Sequence, residues 1–572
     1  MPLAIIVLII TFVVLLVLNV PVAFSMGLAA LLGLVVMGDM PALVSTAQQM
    51  ATGFDSFALL AIPFFVLSGL FMGHGGIARR LIDFANVLVG GFRGGLAFVN
   101  IMTCMLFGSI SGSATAAVSS IGGFMIPLMN KRGYHRDFNA AISITAATTG
   151  LLIPPSNVMI VYSLASGGVS IAAIFIAGVL PGILVGLSLM VVAGILSARN
   201  KYGKEEAYKI NEIITRLVGA IICLVLPIAL FVIRKNYQIP EEQLKAMLLE
   251  NAALKGSLAD INRIFLIFSL ILLAVIIGIN LFLKFRAVQP EKKTVVTGLA
   301  CFLFPFLLLL RGCFTAVKLQ AGSLAITNGI IAGYVLMLII AILIYGLKVS
   351  WKGFICFVQA IPALLLIIIV LGGILSGVFT ATEASAIAVV YSFLLSVFIY
   401  KEVKFNDLSK IILQSAITTA VVMLLIATSM AMSWVLAVEN IPQSVSAFLL
   451  GLTENKIALL LIINLILLVV GTFMDMTPAV LIFTPIFLPI VTGFGMDPLH
   501  FGIILIMNLC IGLCTPPVGT CLFVGCGIAE TTVTKVMRHI VPCFIAMIAV
   551  LLICTYIPNL SLTLPRLFDL IK

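Results

Sequence analysis

Hydrophobic positions in this chain run in stretches far longer than a soluble helix or strand requires. Phe138 to Ala198 contains no Asp, Glu, Lys or Arg, and the same holds for Gly94 to Asn130 and for Pro2 to Gly38. One helical crossing of a bilayer needs about 20 apolar residues, so these stretches predict membrane helices packed in succession. The interruptions are of a particular kind. Gly108-Ser-Ile-Ser-Gly-Ser113, Leu152-Ile-Pro-Pro-Ser-Asn157 and Leu180-Pro-Gly182 place Gly, Pro and small polar residues inside uncharged sequence. They are answered by Gly471-Thr-Phe-Met-Asp-Met-Thr477, Cys514-Thr-Pro-Pro-Val-Gly519 and Val541-Pro-Cys543. Gly108 to Gly471 spans 363 positions, Pro154 to Pro516 spans 362 and Pro181 to Pro542 spans 361, which marks an internal duplication. Broken helices at matching places in two membrane repeats point to a transport site.

Composition fixes the solvent. Of 572 residues, 62% are hydrophobic and 9% charged, too few to coat a water-soluble body. The chain therefore reads as an all-α polytopic membrane protein, since only helices or closed barrels satisfy their backbone in lipid. Pro2 to Gly38 continues well past the short apolar core of a signal peptide and is read as retained membrane structure, in two spans parted at Asn19-Val-Pro21. The eleven Cys are scattered without metal-ligand spacing and read as small packing residues. The net charge of +11 lies at span ends, where it sets orientation, and argues against nucleic acid as a partner.

Arg79, Arg80 and Arg93 precede the first small-residue segment and Lys131, Arg132 and Arg136 follow it, placing both ends on the cytoplasmic side. A re-entrant hairpin is expected at about 96–129. Its counterpart, about 457–495, is flanked by Glu454, Lys456, Asp497 and His500, with no positive excess, and is expected to enter from outside. The repeats, 1–203 and 353–572, are then inverted about an axis in the membrane plane. Between them, 204–352 holds four apolar runs that predict four helices, with a charged amphipathic stretch from Pro240 to Asn262 read as a solvated face.

Irregular backbone at membrane depth is tolerated where it is buried in protein or lines a cavity. Ser109, Ser111 and Ser113 offer hydroxyl oxygens and freed carbonyls to a small alkali cation. Pro154-Pro155 stops a helix, and Ser156 and Asn157 open the next one, whose N-terminus favours an anion. Thr472, Thr477, Thr515 and Thr520 repeat the arrangement. Asp475 is the only charged residue between Lys456 and Asp497, and Glu383 the only one between Lys352 and Lys401. An isolated acid in a membrane faces a polar pathway or a partner; for Glu383, in Thr380-Ala-Thr-Glu-Ala-Ser385, helix capping competes. His74, His135, His500 and His539 fall near span ends, where interfacial roles are expected. An intramembrane hydrolase is disfavoured: Ile110 stands where a nucleophile elbow needs serine, no His-Glu-x-x-His occurs, and no His lies beside a Ser in either repeat.

Taken in order, Gly-Ser-Ile-Ser-Gly-Ser, Ile-Pro-Pro-Ser-Asn, Phe-Thr-Ala-Thr-Glu-Ala, Gly-Thr-Phe-Met-Asp and Leu-Cys-Thr-Pro-Pro-Val-Gly resemble the large membrane subunit of tripartite ATP-independent periplasmic (TRAP) transporters, over about 1–203 and 351–572. The resemblance implies an ion-transporter-superfamily fold of elevator type in a bacterial inner membrane, importing an organic acid with sodium as coupling ion and no other cofactor. A C4-dicarboxylate or sugar acid would be delivered by a periplasmic binding protein, with a small four-helix membrane subunit as second partner. Sodium ligands would come from Ser109, Ser111, Gly112, Ser113, Pro155, Ser156 and Asn157, and from Thr472, Asp475, Thr515, Pro516 and Gly519. Substrate would lie between the hairpin tips, near Ser113, Asn157, Thr477 and Thr520, with Glu383, Pro154 and Pro517 in structural or gating roles. Two departures stand out: the long insert, which could be a relocated small subunit, and a first hairpin without an acid. A one-component sodium/anion symporter with the same two hairpins is the competing transport reading.

Overall fold

The computed structural model describes residues 3–202 and 351–571, apart from short interruptions at 19, 39–41, 56, 93, 376–377, 454, 517–518 and 569. The chain divides into two compact units, one of Met1–Ala207 with Gln359–Lys572 and one of Tyr208–Val358. The expected four helices of 204–352 lie outside the described residues.

The described residues are helical, and their helices follow one order twice. α1 (Leu3–Val17) and α2 (Val22–Met37) are packed together as two separate helices. Next come α3 (Ala42–Phe54), α4 (Ala61–His74), α5 (Ile77–Val89) and α6 (Gly95–Ser111). A second arm follows, made of α7 (Ala114–Ala117), a π turn (Val118–Gly122) and α8 (Gly123–Lys131). α9 (Arg136–Thr149), α10 (Asn157–Ala165) and α11 (Ile171–Arg199) complete the first set. The second set is α12 (Trp351–Leu375), α13 (Ala381–Leu394) with a π turn (Leu395–Ile399), α14 (Phe405–Val438), α15 (Ile441–Leu452), α16 (Lys456–Phe473), α17 (Met476–Gly493), α18 (Pro498–Gly512), α19 (Thr520–Ala529) and α20 (Val533–Tyr556). A short amphipathic helix, α21 (Asn559–Leu567), follows.

The correspondence reaches single residues. α4 bends by 68° into α5 at Gly76, whose φ of +70° is left-handed; α14 turns into α15 at Asn440, φ +53°, 364 positions on. At that spacing α3 and α4 together match α14, which runs unbroken for 34 residues. Such a helix is about 51 Å long, more than a 30 Å core holds upright, and its first turns carry Asn406, Asp407 and Lys410.

Hairpins and broken helices pack through the same device in both sets. A Cβ on Gly108 would lie 2.7 Å from Gly150 Cα, and one on Gly471 would lie 3.1 Å from Gly512 Cα. Glycine at both partners lets the first hairpin arm meet the broken helix backbone to backbone. Side-chain amides tie the same pairs: Asn100 Nδ2 donates to Ser143 Oγ (2.6 Å) and Asn508 Nδ2 to Asn464 Oδ1 (2.7 Å).

The two broken helices run antiparallel. Asp137 accepts from Thr531 Oγ1, Cys514 Sγ donates to Ile144 O (3.5 Å), Cys510 Sγ to Thr148 O (3.5 Å) and Tyr162 Oη to Pro498 O (2.5 Å), so one numbering rises as the other falls. Thr148 and Cys510 are 362 positions apart, the spacing of Pro154 and Pro516, so equivalent residues touch and the pseudo-two-fold axis passes between them.

Candidate functional site

The first half-site forms where the tip of the first hairpin meets the break between α9 and α10. α6 ends at Ser111, and Gly112 turns the chain at φ +62°, where a side chain is strained. Ser113, in extended conformation, caps α7 by accepting Ala116 N–H (3.3 Å) and lies 3.1 Å from Thr115 Oγ1. Ser109 Oγ donates to Leu106 O (2.8 Å) and Ser111 Oγ to Ser113 O (3.4 Å). These bonds use the hydroxyl protons and leave oxygen lone pairs for a further ligand.

Opposite the tip, Pro154 and Pro155 are buried in the break. Ser156 takes the N-cap position of α10 but its side chain caps nothing, and Asn157 opens the helix. A Cβ on Gly112 would come within 3.0 Å of Asn157 Nδ2, so tip and break are in contact. Ser156 Oγ and Asn157 Oδ1 are both buried without a hydrogen-bond partner. Each such atom costs about 1–3 kcal/mol, and two neutral acceptors beside freed carbonyls are a donor set suited to a small hard cation.

The second half-site repeats the plan with different chemistry. α16 ends at Phe473, Met474 is extended, and Asp475 stands at the N-cap position of α17 without capping it. Thr472 Oγ1 donates to Val469 O (2.7 Å) and Thr515 Oγ1 to Gly512 O (2.7 Å), again leaving lone pairs free. Gly519 N donates to Thr515 O (3.1 Å), Thr520 Oγ1 is buried without a partner, and Thr477 is half-buried in the first turn of α17. Pro516 is exposed, and Pro517 lies outside the described residues. Asp475 lies near Cys521, and it is exposed. Both hold for a group lining a crevice, and among the described residues no Lys or Arg forms an ion pair with it.

One sequence expectation needs correction, that for His500, while at Glu383 the capping alternative is the one seen. Glu383 forms a capping box on α13: its Oε2 accepts Thr380 N–H (2.8 Å) and Thr380 Oγ1 (2.9 Å), while Thr380 Oγ1 accepts Glu383 N–H (3.3 Å). Its role in the fold is to satisfy a helix end. His500 is not interfacial but buried at 1% exposure, its Nδ1 2.6 Å from Ser561 Oγ and its Nε2 3.3 Å from Thr555 O. Sequence order hid this His–Ser pair because 61 positions separate the partners. It belongs to a buried network in which Asn464 Nδ2 donates to Thr555 Oγ1 (3.1 Å), tying α16, α18, α20 and α21 together. Asn464, a lone amide in the apolar run of α16, was the one signal for it in the sequence.

Paired hairpins, paired broken helices and unpartnered oxygens at the breaks define a class, the multi-pass membrane permeases. The profile of the tripartite ATP-independent periplasmic transporter DctM component matches residues 9–354 and, again, 264–560. The chain is 39% identical over 559 residues to the uncharacterized protein YgiK of Salmonella typhimurium, covering 98% of this chain and 96% of that one. It is 32% identical to the C4-dicarboxylate TRAP transporter large permease protein DctM of Pseudomonas aeruginosa, over 90% of this chain and 87% of that one. It is also 32% identical to the isethionate TRAP transporter permease protein DctMQ of Oleidesulfovibrio alaskensis, over 96% of this chain and 64% of that longer protein. The chain belongs to the DctM family, the large permeases of TRAP transporters. It is a multi-pass bacterial inner-membrane protein and a transport component, not an enzyme.

Proposed function

We propose that the chain is the permease of a sodium-coupled importer of an organic anion, such as a C4-dicarboxylate or a sugar acid, which a periplasmic binding protein delivers. A small four-helix membrane subunit completes the assembly. The observation that carries this reading is the set of buried, unpartnered oxygens, Ser156 Oγ, Asn157 Oδ1 and Thr520 Oγ1, at helix breaks that face the two hairpin tips. In this reading sodium is held by Ser109, Ser111, Gly112, Ser113, Pro155, Ser156 and Asn157 in one half-site. Thr472, Asp475, Thr515, Pro516 and Gly519 hold it in the other. The N-termini of α10 and α19, with Ser113, Asn157, Thr477 and Thr520, present donors to the substrate carboxylate. The relatives named for C4-dicarboxylate and isethionate support a small organic acid as cargo.

Coupling follows from charge. A bare carboxylate at Asp475, or a bound anion without cations, is costly to move through a low-dielectric barrier. Cations at both half-sites compensate the acid and the substrate together, so an elevator-type movement of hairpins and broken helices proceeds when the charges are matched. Purified chain with its small subunit in liposomes, under an inward sodium gradient, should accumulate labelled organic acid only when the cognate binding protein is added. Collapsing the gradient should stop it. Uptake by the chain alone would favour a one-component symporter, and uptake indifferent to sodium would overturn the coupling.

A further inference from the structure

The tip of the first hairpin is not only in contact with Asn157. It also meets α4. A Cβ built on Gly69 would stand 2.8 Å from Ser111 O and 3.0 Å from Ser111 Cα, closer than a side chain tolerates, and both atoms are backbone and have no rotamer to escape into. One turn further along the same helix face, Gly73 is looser: its Cβ would meet Ser120 Oγ at 3.7 Å and Phe107 Cζ at 3.8 Å, ordinary contacts. α4 itself is held from another side, since Ser68 Oγ donates to Ala388 O of α13 (3.2 Å). Glycine is a poor helix former compared with alanine, so at position 69 the contact, not the helix, calls for it.

α4 meets the turn at Gly69 and also lies against the break, since Phe65 and Ser68 line a cavity together with Pro155. A Cβ built on Gly112 would stand 3.0 Å from Asn157 Nδ2, the end of a side chain, so the turn also lies against the break. A shift of the turn relative to α4 changes its spacing from the residue whose Oδ1 is buried and unpartnered, next to the equally unpartnered Ser156 Oγ.

We propose that Gly69 is a positioning residue for the first half-site: it seats the Ser111-Gly112 turn on α4 and thereby fixes the spacing between the hairpin tip and the Ser156-Asn157 oxygens. This rests on the reading of that half-site as a cation site. The seat sets cation affinity through geometry and touches no ion itself.

The test uses the full chain, purified, with sodium alone as the probe. Melting temperature is followed as KCl is exchanged for NaCl at constant ionic strength. For the unaltered chain it should rise with sodium. In Gly69→Ala the sodium concentration giving half of that rise should increase at least about fivefold, because small displacements of a ligand set are felt strongly. Its melting temperature in KCl should fall, because the added methyl meets backbone, and Gly73→Ala should leave the sodium midpoint in place. A Gly69→Ala protein with the wild-type midpoint overturns the proposal, as does one that melts lower in KCl with an unmoved midpoint, which would mark mere packing. Should that variant not accumulate, Ser68→Ala adds no atom and loosens α4 from α13; it should raise the midpoint by about twofold, and an unmoved midpoint overturns the seat. Absence of any sodium-specific rise in the unaltered chain sinks the cation reading itself, an outcome separate from the other two.

Discussion

The two half-sites descend from one duplicated plan, share its packing, and differ in charge and in exposure. In the first, Ser109, Ser111, Gly112, Pro154, Pro155 and Ser156 are buried, the ligand candidates are neutral, and the tip is wedged against α4. In the second, Gly519 and Thr520 Oγ1 are buried, but Asp475 and Pro516 are exposed and Thr472 and Thr515 half-buried, so the one acid of the pair is reached by solvent. An unpaired carboxylate costs about 2.5 kcal/mol or more at membrane depth even on insertion scales, so a charge belongs on the half that water reaches. Neutral oxygens cost less to bury and suit the half that is closed. The comparison teaches that an inverted duplication need not be symmetric in one conformation: pseudo-symmetric backbone carries one open and one shut site.

The sharpest way to break that contrast is to remove the charge. Asp475→Asn keeps the volume and leaves the crevice neutral, so sodium-driven uptake should fall by about two orders of magnitude, the scale of losing a charge-assisted contact of ~3 kcal/mol. The protein should still insert and melt at or above the wild-type temperature. Uptake within a few-fold of normal would mean that the acid is a bystander.

Equivalent positions then give a direct readout of accessibility. Thr472→Cys and Ser109→Cys are 363 positions apart, one half-buried and one with 0% exposure. A small water-soluble maleimide should modify the first in the folded protein and the second only after unfolding. Equal reactivity would abolish the distinction drawn here between open and shut halves.

A milder effect is expected from the closed half. Ser109→Ala combined with Ser111→Ala removes two hydroxyls whose protons are already engaged, leaving carbonyls and Asn157 in place. The apparent sodium affinity in transport should weaken by about tenfold, that is ~1.4 kcal/mol, with expression intact. Unchanged sodium dependence would reduce these serines to packing. The smallest change belongs to Glu383→Gln, which weakens a cap: melting temperature should dip slightly, and the sodium midpoint should not move. A shifted midpoint would return Glu383 to the site.

What could be read from the chain follows the same division. Helix breaks were legible because Gly, Pro and hydroxyl residues in uncharged sequence have few other uses, and the duplication showed because spacing survives when side chains drift. The crevice around Asp475 was legible only as the isolation of one acid. Glu383 was equally isolated in sequence, yet a hydrogen bond three residues away absorbed it, so isolation alone does not separate a cap from a ligand. The burial of His500 was hidden because α21, which supplies Ser561, is short and follows the last landmark. The seat at Gly69 was hidden too, since a glycine among apolar residues says nothing about what approaches it.

The contact of Thr148 O with Cys510 Sγ has a consequence of its own. A residue beside a two-fold axis has its own counterpart as neighbour, so a single substitution there acts on both repeats at once. Thr148 lies two positions before Gly150 and Cys510 two before Gly512, the glycines that carry the two hairpins. The axis thus stands between the two glycine seats, each two positions from a residue that touches its own counterpart.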